Sequence, residues 1–164
     1  MDKYYYFVSQ LPSLQFNQKA QTDRASFLEE AKKWLTDPEF KVISRIDIDD
    51  FFETSGGPQV LSDYGSFEKA LRNEIALVRK AKKENKSYQP KAEIAKAISG
   101  QPLEVEINLL ELRWKFIEER ALEHNFDLAS LILYFLKLQI VERIFSFDKG
   151  KGTVRFDQLT GVKL

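Results

Sequence analysis

The sequence contains no cysteine, and His124 is its single histidine in 164 residues. Without cysteine the chain has no disulfide, no thiolate nucleophile and no Cys-ligated metal. One imidazole excludes a His-rich metal centre, and no serine or acid stands at a spacing that indicates a catalytic triad with it. His124 follows the end of a predicted helix, where an imidazole interacts favourably with the helix dipole. We therefore predict no catalytic, cofactor-binding or metal-binding residue of these classes.

The chain also lacks an excess of charge of one sign. Its 25 Lys and Arg residues balance 25 Asp and Glu residues, whereas nucleic-acid-binding proteins usually have a clear basic excess. The apolar fraction of 43% and the charged fraction of 30% are ordinary for a soluble globular protein. The apolar stretch Tyr4–Val8 is shorter than the hydrophobic region of a signal peptide. We expect a cytoplasmic protein that does not bind nucleic acid.

No apolar run is long enough to cross a membrane. The segment Leu128–Leu136 is apolar on all faces, but Lys137 and Glu142 interrupt it before the roughly 20 residues that a bilayer requires. A helix that is apolar all round is typical of a protein core. We predict a buried central helix here and no direct membrane span.

Helical periodicity dominates the rest of the chain, and no strand alternation of useful length occurs. The predicted helices begin after Thr22 or Asp23, at Pro38, after Ser66, at Pro90, at Leu103 and after Asp127. The first residues, Tyr4–Ser9, are aromatic and read as a strand or an extended arm. We predict a mainly α fold, an antiparallel bundle of about six helices with a short extended N-terminal segment. The predicted domain is single, 1–164, with 1–100 and 101–164 as candidate sub-modules.

Several residues predict where these helices begin and end. Pro38 suits the first turn of the second helix, which we expect to carry Phe51 on its inner face and to stop at Gly56. Gly100 suits the left-handed position after a short helix, and Asp127 is a favourable N-cap for the last helix, Leu128–Phe147. The polar stretch Lys82–Ser87 reads as a loop.

Two charged segments are candidate ligand sites. The acids Asp47, Asp49 and Asp50 supply oxygen ligands of the kind that Mg²⁺ prefers, but they lack EF-hand spacing and fit the solvated outer face of a helix. A small metal-dependent enzyme stays open as an alternative. The segment Arg79–Lys91 holds six Lys or Arg residues and one Glu, a charge of +5. It suits phosphate or an anionic membrane surface, although a solvated helix end is the simpler interpretation.

Short motifs at both ends and at the centre of the chain carry a resemblance to a known family. They are Lys3–Val8 with Leu11-Pro12, Leu71–Arg79, Leu112–Phe116, Leu131–Arg143, and Asp148–Gly150 with Phe156. On these motifs the chain resembles an uncharacterised bacterial family whose genes commonly lie in operons for rotary V/A-type ATP synthases. The Leu71–Arg79 segment is similar to a segment that this family shares with the C-type (d-type) central-stalk subunit.

The resemblance implies a protein without chemistry of its own, because C-type subunits are helical sockets between the rotor shaft and the membrane ring. It implies a non-enzymatic peripheral component that links or assembles the central stalk with the rotor ring, at the cytoplasmic side of a membrane complex. We predict contact with stalk and ring subunits through polar residues of the matched helices, Arg72, Arg79, Glu142 and Arg143. The alternative is a stand-alone helical adaptor that binds another protein through the Leu103–Ala121 stripe or the basic segment.

Overall fold

The computed structural model describes residues 3–49 and 57–147, and every regular element in these ranges is an α-helix. The helices are α1 (Lys3–Gln10), α2 (Arg24–Trp34), α3 (Asp37–Ser44), α4 (Gln59–Lys83), α5 (Ala92–Ala97), α6 (Pro102–Ala121) and α7 (Leu128–Ser146). The mainly α prediction is confirmed. Within the described ranges, no helix combines the length and the apolar character that crossing a bilayer requires.

The chain divides into two compact units. Unit 1 comprises Met1–Phe51 and Ile117–Leu164, and unit 2 comprises Phe52–Phe116. Helices α1, α2, α3 and α7 belong to unit 1, α4 and α5 belong to unit 2, and α6 contributes residues to both. The candidate sub-modules 1–100 and 101–164 stay predictions. The single domain over 1–164 stays a prediction.

Helix α7 is the centre of unit 1 and packs against α1, α2 and α3. Its buried side chains occupy all faces: Leu131, Ile132, Leu133, Phe135, Leu136, Leu138, Gln139, Ile140, Val141 and Ile144. The ring of Phe27 on α2 stacks on Phe135 with centroids 4.9 Å apart. Asp127 caps the helix as predicted, because its carboxylate accepts from the backbone N of Ser130 at 2.7 Å. The buried helix inferred from the apolar run therefore forms.

The N-terminal segment is a helix, so the predicted strand or extended arm is wrong. Phe7 on α1 is completely buried, and its ring lies 5.4 Å from that of Phe27. Tyr6 stacks on Trp34 with centroids 6.0 Å apart. Aromatic residues favour strands only weakly, and burial against a helix surface outweighs that preference. These contacts join residues about 20 or more positions apart, and local pattern does not reveal them.

Helix α3 begins as predicted and ends earlier. Thr36 caps it in a capping box with Glu39, and Pro38 lies in the first turn. The helix ends at Ser44 instead of continuing to Phe51, which lies outside the described residues. Ile46 and Ile48 are both buried in the non-helical segment that follows. Their spacing of two puts both side chains inward only if the backbone leaves the helical path.

Unit 2 is built around α4, which begins at Gln59 and not after Ser66. Gly65 and Ser66 read as a helix boundary, yet both lie inside the helix, and the buried stripe extends back through Tyr64 to Val60. Farther along, Leu71 packs with Ile94, Ala97 and Leu109. The helix continues through Lys82 to Lys83, so the predicted loop Lys82–Ser87 is non-helical from Glu84 onward. Gly100, at φ +115°, has the predicted left-handed conformation after α5.

Glu39 ties α1 to α3. Its carboxylate accepts hydrogen bonds from Lys3 Nζ at 2.6 Å, from Tyr4 Oη and from the backbone N of Thr36 at 2.8 Å. Burial alone raises the pKa of Glu39, but the hydrogen bonds from Lys3, Tyr4 and Thr36 outweigh it and lower the pKa from 4.5 to about 2. The ionised form is therefore the one that the fold stabilises.

Because the folded pKa lies below the unfolded value, Glu39 stabilises the protein above pH 4.5 and loses this effect as the pH falls towards about 2. We expect Glu39→Gln to lower the free energy of unfolding at pH 7 and the difference from the wild type to shrink between pH 4.5 and 2. Urea unfolding followed by circular dichroism measures this. Glu29→Gln, at an exposed carboxylate of α2, is the control. A difference that stays constant over this pH range would contradict the assignment.

Candidate functional site

The four predicted contact residues fall into both units. Arg72 and Arg79 lie on α4 in unit 2, whereas Glu142 and Arg143 lie on α7 in unit 1. Each pair shares its helix with a buried polar side chain, Glu68 on α4 and Gln139 on α7.

In unit 1 the buried polar group is the amide of Gln139, whose residue is only 1% exposed. Its Oε1 accepts from the backbone N of Ile48 at 2.8 Å and from Arg24 Nη2 at 2.9 Å. Its Nε2 donates to the backbone O of Ile46 at 2.9 Å. The amide therefore satisfies both a backbone donor and a backbone acceptor of the segment after α3. It attaches that segment to α7.

Glu142 lies one turn beyond Gln139 and is engaged in the same region. Its Oε1 accepts from the backbone N of Arg24 at 2.8 Å, and its Oε2 lies 3.4 Å from Arg24 Nε. Arg24 is the first residue of α2, so its backbone N has no acceptor within the helix. Glu142 supplies that acceptor and places a negative charge at the positive end of the helix dipole. Its carboxylate serves the packing of α2 on α7.

Two acids that follow α3 lie near arginines: Asp49 lies near Arg143, and Asp47 lies near Arg24. Arg143 Nη1 lies 3.8 Å from Asp49 Oδ2, and its guanidinium lies 5.2 Å from the ring centroid of Phe147. Asp47 Oδ1 accepts from the backbone N of Asp49 at 2.9 Å and lies 4.0 Å from Arg24 Nη2. Asp47 and Asp49 follow the end of α3, so their predicted position on the outer face of a helix is wrong.

This arrangement bears on the metal hypothesis. Asp47 and Asp49 each lie near an arginine, and a guanidinium beside a carboxylate opposes the approach of a cation. Asp50 lies outside the described residues. Over 3–49 and 57–147, no three potential metal ligands of the types His, Cys, Asp and Glu come together. The three-acid site therefore stays an untested alternative.

In unit 2 the buried polar group is the carboxylate of Glu68, whose residue is 2% exposed. Arg113 on α6 forms a fork across it, with Nε 2.9 Å from Oε2 and Nη2 2.8 Å from Oε1. Arg72 Nε donates to Oε1 at 2.9 Å. The hydroxyl of the fully buried Tyr64 approaches Oε2 at 3.5 Å. The single negative charge of Glu68 thus offsets part of the positive charge of two guanidinium groups, those of Arg113 and Arg72.

The electrostatics of this network favour the charged form of Glu68. Burial raises its pKa, but the hydrogen bonds and charge of Arg113, followed by those of Arg72, outweigh burial and hold the pKa below its usual value. Burial also raises the pKa of the Tyr64 phenol, and the neighbouring Glu68 charge adds to the effect. Both shifts favour an ionised carboxylate beside a neutral phenol at neutral pH. The hydrogen bonds of Glu68 with Arg72 and Arg113 join α4 to α6.

Arg72 and Arg79 are the accessible part of this region. The side chain of Arg72 is 50% exposed although it contacts Glu68, and the exposed Arg79 lies seven residues, almost two full turns, farther on. A spacing of seven residues places both on one face of α4. Among the described residues, no ion pair or hydrogen bond of the Arg79 side chain occurs. Of the four predicted residues, these two offer charge to a partner.

Sequence reasoning missed three residues that organise these networks: Gln139, Glu68 and Arg113. Gln139 and Glu68 share a signal that could have found them. Each is a polar side chain at helical spacing from an apolar residue that the pattern places inward, Leu136 for the first and Leu71 for the second. A polar residue on such a face is buried only with partners.

Comparison with known proteins adds one similarity. Residues 87–162, just under half of the chain, match a family described as "Protein of unknown function (DUF2764)". The match includes α5, α6 and α7 and begins after Arg72 and Arg79. No curated protein and no solved structure matches the chain. The similarity supplies neither an activity nor a partner.

Replacing Gln139 tests its role in unit 1. We expect Gln139→Leu to lower the free energy of unfolding by about 2–4 kcal/mol, because Ile48 N and Ile46 O lose their partners inside the protein. Urea unfolding followed by circular dichroism measures the loss. The control is Gln18→Leu at an exposed position, with an expected change within about 0.5 kcal/mol. Equal effects of the two substitutions would contradict the role of Gln139.

Replacing the two arginines of unit 2 separately tests the Glu68 network. We expect Arg113→Met to cost about 3–5 kcal/mol, because it removes the fork from a buried carboxylate. Arg72→Met, at a half-exposed site, should cost less than about 1 kcal/mol. Adding Glu68→Met to Arg113→Met should restore much of the loss, since no buried charge then stays unpaired. Thermal and urea unfolding measure all three, and equal losses for the two arginines would overturn this assignment.

Proposed function

We propose that this chain is a non-enzymatic peripheral component of a V/A-type ATP synthase. In this proposal it acts like a C-type central-stalk subunit and links or assembles the central stalk with the membrane rotor ring. The resemblance of the two ends and of Leu71–Arg79 to the synthase-operon family supports the choice of complex. The partners are stalk and ring subunits, and the location is peripheral to the membrane on the cytoplasmic side.

One observation supports the contact surface most directly. Arg72 and Arg79 lie on one exposed face of α4, inside the segment that is similar to the C-type subunit. Arg72 retains a half-exposed guanidinium because Arg113 already forks the Glu68 carboxylate. Arginine is enriched at the centres of protein interfaces, where its planar fork binds carboxylates. Glu142 is bound to the first residue of α2, and the side chain of Arg143 is 40% exposed against 50% for Arg72, so we assign the contact to the more exposed α4 pair.

The adaptor hypothesis has one observation in its favour. The predicted docking stripe on α6 offers little surface, because Ile107, Leu110, Trp114 and Ile117 are buried. The basic segment that begins at Arg79 is exposed, and Leu77 beside it is 44% exposed. An adaptor would therefore use α4 and the loop after it, which is the same part of the chain that the synthase proposal uses.

Affinity purification of the tagged protein from gently solubilised native membranes, followed by mass spectrometry, tests the proposal. We expect stalk and ring subunits in near-stoichiometric amounts. Recovery of none, with the synthase demonstrably intact in the extract, would overturn it. Stoichiometric recovery of a different complex under those conditions would favour the adaptor.

A charge-matched pair of variants tests the contact surface. We expect Arg72→Ala/Arg79→Glu to lower recovery of the synthase subunits at least tenfold, while Arg45→Ala/Lys41→Glu, at exposed positions in unit 1, leaves it unchanged. Both variants change the net charge equally, and circular dichroism verifies that each folds. Equal recovery with the two variants would remove the α4 face from the interface.

A further inference from the structure

The end of α4 carries four exposed lysines, which we call the lysine tip: Lys80, Lys82, Lys83 and Lys86. We propose that the lysine tip is a docking site for an anionic phospholipid surface. This inference goes beyond the proposed function, because it concerns a lipid surface and needs no synthase subunit.

The tip has a defined backbone conformation. The backbone N of Lys86 donates to the O of Ala81 at 2.8 Å, and the N of Asn85 donates to the O of Lys82 at 3.4 Å. Asn85 has φ +55°, the left-handed conformation that ends a helix in a Schellman motif. Helix and turn therefore hold the four lysines in fixed positions instead of fraying.

The positive charge of the tip has little compensation within the protein. Glu84 lies 3.4 Å from Lys86, which is nevertheless 74% exposed, and no ion pair of Lys80, Lys82 or Lys83 occurs among the described residues. Residues 79–91 carry a charge of +5 in a chain whose net charge is zero, so the remaining residues carry −5. The helix dipole favours lysines in the last turn, but it does not account for Lys86 beyond the helix end. Such a concentration of cations attracts an anionic partner.

The distribution of these lysines around the helix favours a flat lipid surface as the partner over a groove on another protein. At 100° per residue, the three helical lysines fan over roughly 160° of the helix circumference. A protein groove contacts a narrower stripe, whereas a fluid lipid surface approached end-on reaches all of them. Leu77 lies one turn before Lys80 and is 44% exposed, and Tyr88 is 37% exposed with its hydroxyl 2.8 Å from Glu74 Oε1. Leucine and tyrosine beside lysines are typical of interfacial membrane contact.

Co-sedimentation of the purified full-length chain with vesicles tests the proposal. We expect binding to phosphatidylcholine vesicles that contain one-third phosphatidylglycerol, and none to phosphatidylcholine alone. Each lysine near an anionic leaflet strengthens binding about fivefold, and added salt weakens it. Absence of binding to the anionic vesicles at low salt, or equal binding to both kinds of vesicle, would overturn the proposal.

A matched pair of variants separates the tip from net charge. We expect replacement of all four tip lysines by Gln to lower binding at least fiftyfold. The control replaces four other exposed lysines by Gln, Lys19, Lys32, Lys33 and Lys41, of which three lie in last turns of α2 and α3. The control should retain binding within about threefold, since its lysines are divided between α2, α3 and the segment before α2 instead of being gathered at the end of one helix. Equal losses in the two variants would overturn the proposal.

Other polyanions distinguish a lipid surface from other acidic partners. If the tip binds polyglutamate or a DNA duplex but not anionic vesicles, it serves an acidic protein or a nucleic acid and the proposal is wrong. Because the vesicle assay contains no synthase subunit, its failure leaves the purification result untouched. Failure of the purification equally leaves the vesicle result untouched.

Discussion

Unit 1 depends on the need of buried backbone groups for hydrogen-bond partners. The segment after α3 leaves the helical path and buries Ile46 and Ile48, which removes their backbone groups from water. The amide of Gln139 both donates and accepts within one plane, and it meets both needs from α7. Its Oε1 also receives Arg24, so the start of α2 is positioned by the same group. An apolar helix with one amide can therefore organise its neighbours.

Unit 2 meets a related constraint with charge. A carboxylate as buried as that of Glu68 is costly unless its lone pairs are occupied, and Arg113 and Arg72 occupy them from α6 and α4. Such a network adds little net stability over apolar packing. It does fix the register of two helices, because the planar fork of Arg113 fits across the carboxylate at one relative position. Arg113 binds both oxygens of the Glu68 carboxylate, and Arg72 contacts only Oε1. The side chain of Arg72 is 50% exposed in this arrangement.

Local signals predicted the elements that local energetics control. The cap of Asp127, the left-handed Gly100, the first-turn Pro38 and the apolar helix α7 follow from interactions within a few residues, and all four are present. The helical N-terminus and the early end of α3 depend on partners far away in sequence; Ile48 and Gln139, for example, are 91 positions apart. The candidate contact residues differ in the same way. The sequence shows that they are charged, but it does not show that Glu142 pairs with Arg24 and Arg143 with Asp49.

The polar residues of the helices thus fall into two groups with different consequences. Gln139, Glu142 and Glu68 are satisfied inside their own units, and a partner that engaged them would first have to displace a bond on which the packing depends. Among the described residues, Arg79, Lys80, Lys82 and Lys83 have no ion pair to lose, and Lys86 has only its exposed pair with Glu84, so binding an anion there costs mainly hydration and side-chain freedom. A neutral net charge conceals this difference, because the acids that balance the tip lie elsewhere along the chain. The exposed face and end of α4 are therefore the described surface where basic side chains are held on one helix and are still available to an anion.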